Sequence, residues 1–131
     1  MTKDEAAVLK GLIEALDGGS RGFAREAERL ELAGLYEVAE PMRTLSGQRA
    51  RFARELRELA QSLGAKIGEP HDEQAVSVPG DTNEDRAVVL YWRAIEGGRL
   101  GREATALVGR QAFALKRAHD EMRSWQRRPA A

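Results

Sequence analysis

The chain has 131 residues, of which 42% are hydrophobic and 32% are charged, and its 21 basic residues balance its 21 acidic residues. This composition predicts one soluble globular domain, residues 1–131, long enough to bury a core. A net charge of zero, with signs that alternate along most of the chain, argues against nucleic-acid binding through phosphate contacts. Because the sequence contains no cysteine, disulfide scaffolds, thiol redox chemistry and zinc ribbons are excluded.

The N-terminal sequence and the hydropathy predict a cytoplasmic protein. The first five residues, Met-Thr-Lys-Asp-Glu, are too polar to open a signal peptide. No apolar run approaches the roughly 20 residues that cross a bilayer. We therefore expect neither a membrane nor a nucleic acid as a partner.

The first helix is predicted over about residues 3–32. Thr2 and Glu5 have the spacing of a capping box, in which the Thr2 hydroxyl accepts the Glu5 N–H and the Glu5 carboxylate reaches back to Thr2. The apolar stripe that follows consists of Ala6, Leu9, Ile13, Leu16, Phe23, Ala27 and Leu30. Three glycines between positions 18 and 22 interrupt it, each at a cost of roughly 1 kcal/mol relative to alanine. Either the helix bends there or another backbone approaches closely.

The second helix, predicted over about residues 35–64, carries the clearest periodicity. Its seven-residue repeat consists of Met42, Leu45, Phe52, Leu56, Leu59 and Leu63 and is broken only by Arg49. A helix needs such a stripe only if it packs along its whole length. Gly34 is a suitable end for the preceding helix. Pro41 removes a backbone hydrogen bond and predicts a kink near Glu40 or a start delayed to Pro41.

The periodicity is lost over residues 65–81, which we interpret as a loop, and resumes in two further helices. The third is predicted over about residues 82–97, with Ala87, Val88, Tyr91, Ala94 and Ile95 facing inward. The fourth is predicted over about residues 101–127, with a stripe of Ala104, Leu107, Val108, Gln111, Leu115, Ala118, Met122 and Trp125. The predicted fold class is therefore all-α, a four-helix bundle.

Short segments covering roughly half of the chain, in all four helices, carry a family resemblance. They are residues 12–18 and 21–27, residues 48–56 and 63–64, residues 84–85 with Tyr91, and residues 106–108, 110–111 and 118–120. In this order they resemble a bacterial ferritin-like family of unknown function, small four-helix-bundle proteins often described as stress-associated. The resemblance implies a ferritin-like up-down-up-down bundle, here with a shortened third helix, and implies no established reaction.

A ferritin-type di-iron centre takes one Glu from each of two helices and a Glu-x-x-His pair from each of the other two. Neither His71 nor His119 is preceded by a glutamate at the third position, so the chain contains no such pair. A reduced site for iron or another divalent metal could form if Glu26, Glu84 and His119 converge. The alternative is that these polar residues bond to their neighbours and that the protein holds no cofactor.

Arg49 is the one charge inside the heptad of the second helix. A guanidinium that faces a core costs several kcal/mol to remove from water unless a carboxylate satisfies it. We predict a buried ion pair with an acid of another helix, first Glu84, then Glu26, then Asp17. The alternative is that the bundle splays at mid-length and Arg49 reaches water.

Two functional hypotheses of different class follow. In the first, the chain is a non-enzymatic bundle, without catalytic residues, that acts by association with itself or with a protein partner. In the second, it is a metal-binding ferritin-like protein that handles iron or peroxide.

The short third helix also predicts a homodimer, because a half-length helix would leave part of an apolar groove uncovered. The stripes expected at the interface are those around Leu9, Leu12 and Ile13, or around Leu56, Leu59 and Leu63.

Overall fold

The computed structural model describes residues 1–67 and 82–127, with the side chains of all of these except 82–86, 123 and 125–127. This part of the chain forms α1 (Lys3–Leu32), α2 (Tyr36–Ser62), α3 (Thr82–Glu96) and α4 (Arg102–Arg127), and it contains no strand. The all-α class is confirmed, and each helix begins and ends within two residues of its predicted bounds. Most of the predicted loop, residues 68–81, lies outside the described residues. None of the described helices is long and apolar enough to cross a membrane.

The turn between α1 and α2 is closed by Gly34. Its φ of +80° is a conformation in which a side chain is strained, so glycine suits the end of α1. The Leu35 N–H donates to the Leu30 carbonyl at 2.8 Å across this turn. Helix α2 then begins at Tyr36, five residues before Pro41, and the predicted start at Pro41 is wrong. The first turn of α2 is already closed when the proline is reached, because the Ala39 N–H bonds to the Leu35 carbonyl at 3.1 Å.

Half of the predicted capping box is present. The Thr2 hydroxyl accepts the Glu5 N–H at 3.0 Å, as predicted. The Glu5 carboxylate accepts the backbone N–H of Gly101, at the start of α4, instead of reaching back to Thr2. The first N–H groups of a helix lack intrahelical partners, so a buried carboxylate from another helix is a suitable acceptor.

The helices follow an up-down-down-up order, and the predicted up-down-up-down order is wrong. The start of α1 lies beside the end of α2, where the Met1 amino group donates to the Leu63 carbonyl at 3.4 Å, and beside Gly101. Helix α3 ends at the same level, because Ala94 lines a groove together with Val8. Helices α2 and α3 therefore run in the same direction. Helix α1 packs on α2 and α3, and α4 packs on the same two helices.

The core of the described residues consists of two apolar clusters along the bundle. The first contains Leu9, Leu12, Ile13, Leu16, Phe52, Ala53, Leu56, Ala60, Ala87, Tyr91, Ala94, Ala104, Val108, Ala112 and Leu115. The second contains Phe23, Ala27, Leu30, Ala39, Met42, Leu45 and Met122. Burial of these side chains, at roughly 25 cal/mol per Å² of apolar surface, is the main stabilising contribution.

Four of the six residues predicted for the homodimer interface belong to the first cluster. Leu9, Leu12 and Ile13 are at most 2% exposed, and Leu56 is fully buried. Although α3 has 15 residues and α1 has 30, α3 lies on the half of α1 that carries these side chains. These four side chains are thus covered within one chain, whereas Leu59 and Leu63 are half-buried.

The glycines of α1 occur where α1 lies close to α2. Gly18, Gly19 and Gly22 are buried, and α1 continues through them without interruption. The Ser20 hydroxyl donates to the Ser46 carbonyl at 2.9 Å, and the Ser46 hydroxyl donates to the Ser20 carbonyl at 2.7 Å. Reciprocal bonds of this kind require the α1 and α2 backbones to lie close together at Ser20 and Ser46.

The bond from Gly101 to Glu5 predicts that Glu5 contributes more to the free energy of unfolding than its acidic neighbour Asp4. Glu5→Ala removes a carboxylate that is 6% exposed and leaves the Gly101 N–H without its acceptor. We expect the free energy of unfolding in urea to fall by about 1–2 kcal/mol. Asp4→Ala, at an exposed neighbouring position, is the control and should change it by less than about 0.5 kcal/mol. Equal effects of the two substitutions would contradict the cap.

Candidate functional site

Arg49 lies in the interior of the bundle. Its side chain is 1% exposed, so the alternative in which it reaches water is wrong. The Nη1 group donates to Oε1 of Gln48, and the guanidinium carbon lies 5.5 Å from the ring centroid of Phe23 on α1. An arginine over an aromatic face is attracted by the ring quadrupole, more strongly when water is excluded. The cation therefore lies between the two apolar clusters, to which Leu45 and Phe52 of the same stripe belong.

Two of the three acids predicted to pair with Arg49 bind other arginines. Asp17 receives two hydrogen bonds from Arg57, at 2.6 and 3.3 Å, in a largely buried pair that joins α1 to α2. Glu26 receives the Nε and Nη2 groups of Arg29, one turn later on the same helix. Glu26 and Asp17 were thus wrong as partners of Arg49. The side chain of Glu84 lies outside the described residues, and the pair of Arg49 with Glu84 stays a prediction.

A second buried polar residue, Gln111, connects three helices. Its Oε1 accepts the Tyr91 hydroxyl of α3 at 2.7 Å. Its Nε2 donates to the Phe52 carbonyl at 3.2 Å and to Oε1 of Glu55 at 3.0 Å, both on α2. The side-chain amide thereby uses both of its donors and its acceptor. We term Arg49, Glu55, Tyr91 and Gln111 the central polar cluster.

The phenol of Tyr91 is held in its neutral form. Burial raises the pKa of Tyr91 far above its ordinary value; the nearby Arg49 lowers this pKa and Glu55 raises it, both by smaller amounts. The hydroxyl therefore keeps its proton and remains a hydrogen-bond donor to Gln111. The central polar cluster is suited to holding helices in register, because its hydrogen bonds are made within the protein.

The described residues do not assemble the predicted metal site. The hydrogen bond from Arg29 holds the pKa of Glu26 below its usual value, and this carboxylate is paired with Arg29 on its own helix. His119 is 12% exposed and places Nδ1 at 3.6 Å from a carboxylate oxygen of Asp120. Among the described side chains no three His, Asp or Glu residues cluster as metal ligands. Because Glu84 lies outside this set, the site Glu26, Glu84 and His119 stays a prediction.

The sequence contained a signal for part of the central polar cluster. Arg49 and Gln111 both occupy positions in apolar stripes, and a polar side chain there must find a buried partner. The partners themselves, Tyr91 and Glu55, were missed because stripes do not specify which helices are neighbours.

No protein-family model, curated protein or solved structure matches the chain. The resemblance to a ferritin-like family stays a prediction.

The bond between Tyr91 and Gln111 predicts the effect of removing one oxygen atom. Tyr91→Phe leaves the Gln111 amide oxygen unpaired and should lower the free energy of unfolding at pH 7 by about 1 kcal/mol. Tyr36→Phe, at a position 67% exposed, is the matched control and should have no measurable effect.

The free energy of unfolding should depend on pH differently in the wild type and in Tyr91→Phe. The unfolded chain ionises tyrosine near pH 10, whereas the raised pKa keeps Tyr91 protonated in the folded protein. The stability from this group is thus present below pH 10 and is lost as the pH rises above it. Above pH 10 the wild type should lose more stability than Tyr91→Phe, and parallel losses would contradict a buried phenol.

The burial of Arg49 predicts that two arginines of α2 contribute unequally to the free energy of unfolding. Arg49→Met and Arg51→Met each remove a guanidinium near an aromatic ring, at 5.5 Å from Phe23 and 5.4 Å from Phe52. Arg49 is buried and Arg51 is exposed. We expect Arg49→Met to lower the free energy of unfolding by about 2 kcal/mol or more, since it breaks up buried polar contacts. Arg51→Met should cost less than about 0.5 kcal/mol; similar costs would refute the interior role of Arg49.

Proposed function

We propose that this chain is a non-enzymatic helical bundle that acts by association, with a second copy of itself as the first partner. The observation that carries the proposal is a group of exposed apolar side chains where α1 meets α2. This group, which we term the turn surface, consists of Leu32, Leu35, Tyr36 and Val38.

The turn surface is more exposed than apolar side chains of this size usually are. Leu32 is 83% exposed, Tyr36 is 67% exposed, and Leu35 and Val38 are each 50% exposed. Apolar patches on a protein surface commonly mark interaction sites, because covering them removes apolar area from water. The four residues lie within seven positions of the chain, where α1 ends and α2 begins, so their exposed apolar area is concentrated at one end of the bundle.

The turn surface is held in place before any partner binds. A salt bridge between Glu31 of α1 and Arg43 of α2 crosses the hairpin beside it. The backbone bond between Leu35 and Leu30 fixes the turn itself. A preformed surface loses little conformational entropy on binding, which favours association.

Two further observations support a structural bundle of ferritin-like type. The up-down-down-up order with one long connection, between α2 and α3, is the arrangement expected of ferritin-like folds. In the interior, where such bundles build metal sites from facing helices, Tyr91 and Gln111 bond to each other and to α2. The stress-related role implied by the resemblance, and a protein partner other than a second copy, stay predictions.

Self-association through the turn surface predicts the mass of the protein in solution. Light scattering at micromolar concentration should give twice the chain mass of 14.5 kDa. Leu35→Ser combined with Tyr36→Ser should reduce this to one chain mass, because it removes two of the apolar contacts while keeping the turn. Phe113→Ser, on α4 at a position 72% exposed, is the control and should remain dimeric. A wild-type mass that stays at one chain as the concentration rises would refute self-association.

A further inference from the structure

We infer that the turn surface of one copy binds the groove between α1 and α3 of a second copy, reciprocally, about a two-fold axis. This inference depends on the proposed self-association and names the surface that receives the turn. The groove has a volume of about 410 Å³ and lies at the end of the bundle where α1 begins and α3 ends.

The groove has the chemistry that the turn surface requires. Val8, Leu12, Leu90 and Ala94 form its apolar lining. Of these, Val8 and Leu90 are half-buried, so apolar surface is available to a partner beyond what the core already covers. Gly11 of α1 also lines the groove, and a Cβ built at this position would meet no atom within 4 Å, so the open space lies directly over the helix backbone.

The charges around the two surfaces are opposite. Arg93 and Arg99, both exposed, line the groove. Exposed glutamates at positions 28, 37 and 40 flank the turn surface. The two arginines nearest to this end, Arg29 and Arg43, are already bound by Glu26 and Glu31. The acidic excess at the turn therefore faces a basic groove when two copies lie antiparallel, and such complementarity favours this pairing.

Gly11 of the groove and Leu32 of the turn surface lie on one side of α1, which permits both contacts to form at once. Gly11 and Leu32 are three heptads apart. On a straight helix this spacing changes the direction of the side chain by only about 60° and separates the positions by roughly 31 Å. Two antiparallel copies that pack along this side of α1 therefore bring each turn surface to the groove of the other copy. An isologous contact of this kind closes with two chains and does not extend into a filament.

Charge reversal on each surface tests the inference. The groove variant carries Arg93→Glu and Arg99→Glu, and the turn variant carries Glu37→Arg and Glu40→Arg. We expect each variant alone to show at least a tenfold higher dimer dissociation constant than the wild type. Arg110→Glu with Arg117→Glu, a pair of exposed arginines on α4, is the control with the same change in charge as the groove variant and should stay dimeric. Circular dichroism and the melting temperature should show that every variant remains folded.

Mixing the two reversed variants gives the decisive result. Each contact in a mixed pair then joins either two wild-type surfaces or two reversed surfaces, so an equimolar mixture should recover the dimer. A chain that carries all four substitutions should also recover it. Recovery should weaken with added salt, because the pairing is electrostatic and partly exposed.

The outcomes separate this inference from the proposed function. If Leu35→Ser with Tyr36→Ser dissociates the dimer while the groove variant stays dimeric, the groove is not the receiving surface and self-association stands. If the wild type is monomeric, both are overturned. If the mixture gives masses above two chains, the contact is head-to-tail and the reciprocal dimer is wrong.

Discussion

A buried guanidinium in the middle of α2 constrains the rest of the bundle. Arg49 takes the stripe position between Leu45 and Phe52, and it is 1% exposed. Because a cation removed from water must be surrounded by polar atoms or aromatic faces, an apolar core cannot continue past this point. The core of the described residues accordingly divides into two clusters, with Phe23 of α1 against the cation and Gln48 bonded to it.

Gln111 fixes the register of α4 against α2 and α3. Its amide bonds to Tyr91 on α3 and to Phe52 and Glu55 on α2. If α4 moved by one helical turn, the buried amide and phenol would both lose partners, at about 1–3 kcal/mol for each unsatisfied group. Apolar contacts alone tolerate such a shift far better, since one leucine can replace another in a stripe. The central polar cluster therefore specifies one register among several that apolar packing would allow.

The sequence predicted the elements of this fold better than the contacts between them. Stripes and the glycine at position 34 located the helices, and the heptad placed Arg49 in the interior, because periodicity records which face of each helix is buried. Periodicity does not record what buries that face. An apolar stripe has the same spacing whether its helix runs up or down the bundle. The direction of α3 was therefore not predicted correctly. The acceptor of the Gly101 N–H, Glu5, lies 96 residues away in sequence, and nothing local predicts it. Leu9, Leu12 and Leu56 were expected at a dimer interface, but other helices of the same chain bury them.

The contacts of the described residues favour the proposed recognition at the surface of α1 over a site inside the bundle. In the interior, Tyr91 and Gln111 already satisfy one another, and Asp17 is bound by Arg57. At the surface, α1 has a groove with space over Gly11 near its start and an exposed Leu32 at its end. Each would gain stability by covering apolar area, whereas an interior site would first have to break buried hydrogen bonds. In the proposed two-fold dimer, each substitution in the α1 contact would occur twice in one interface, so its effect on association would be doubled.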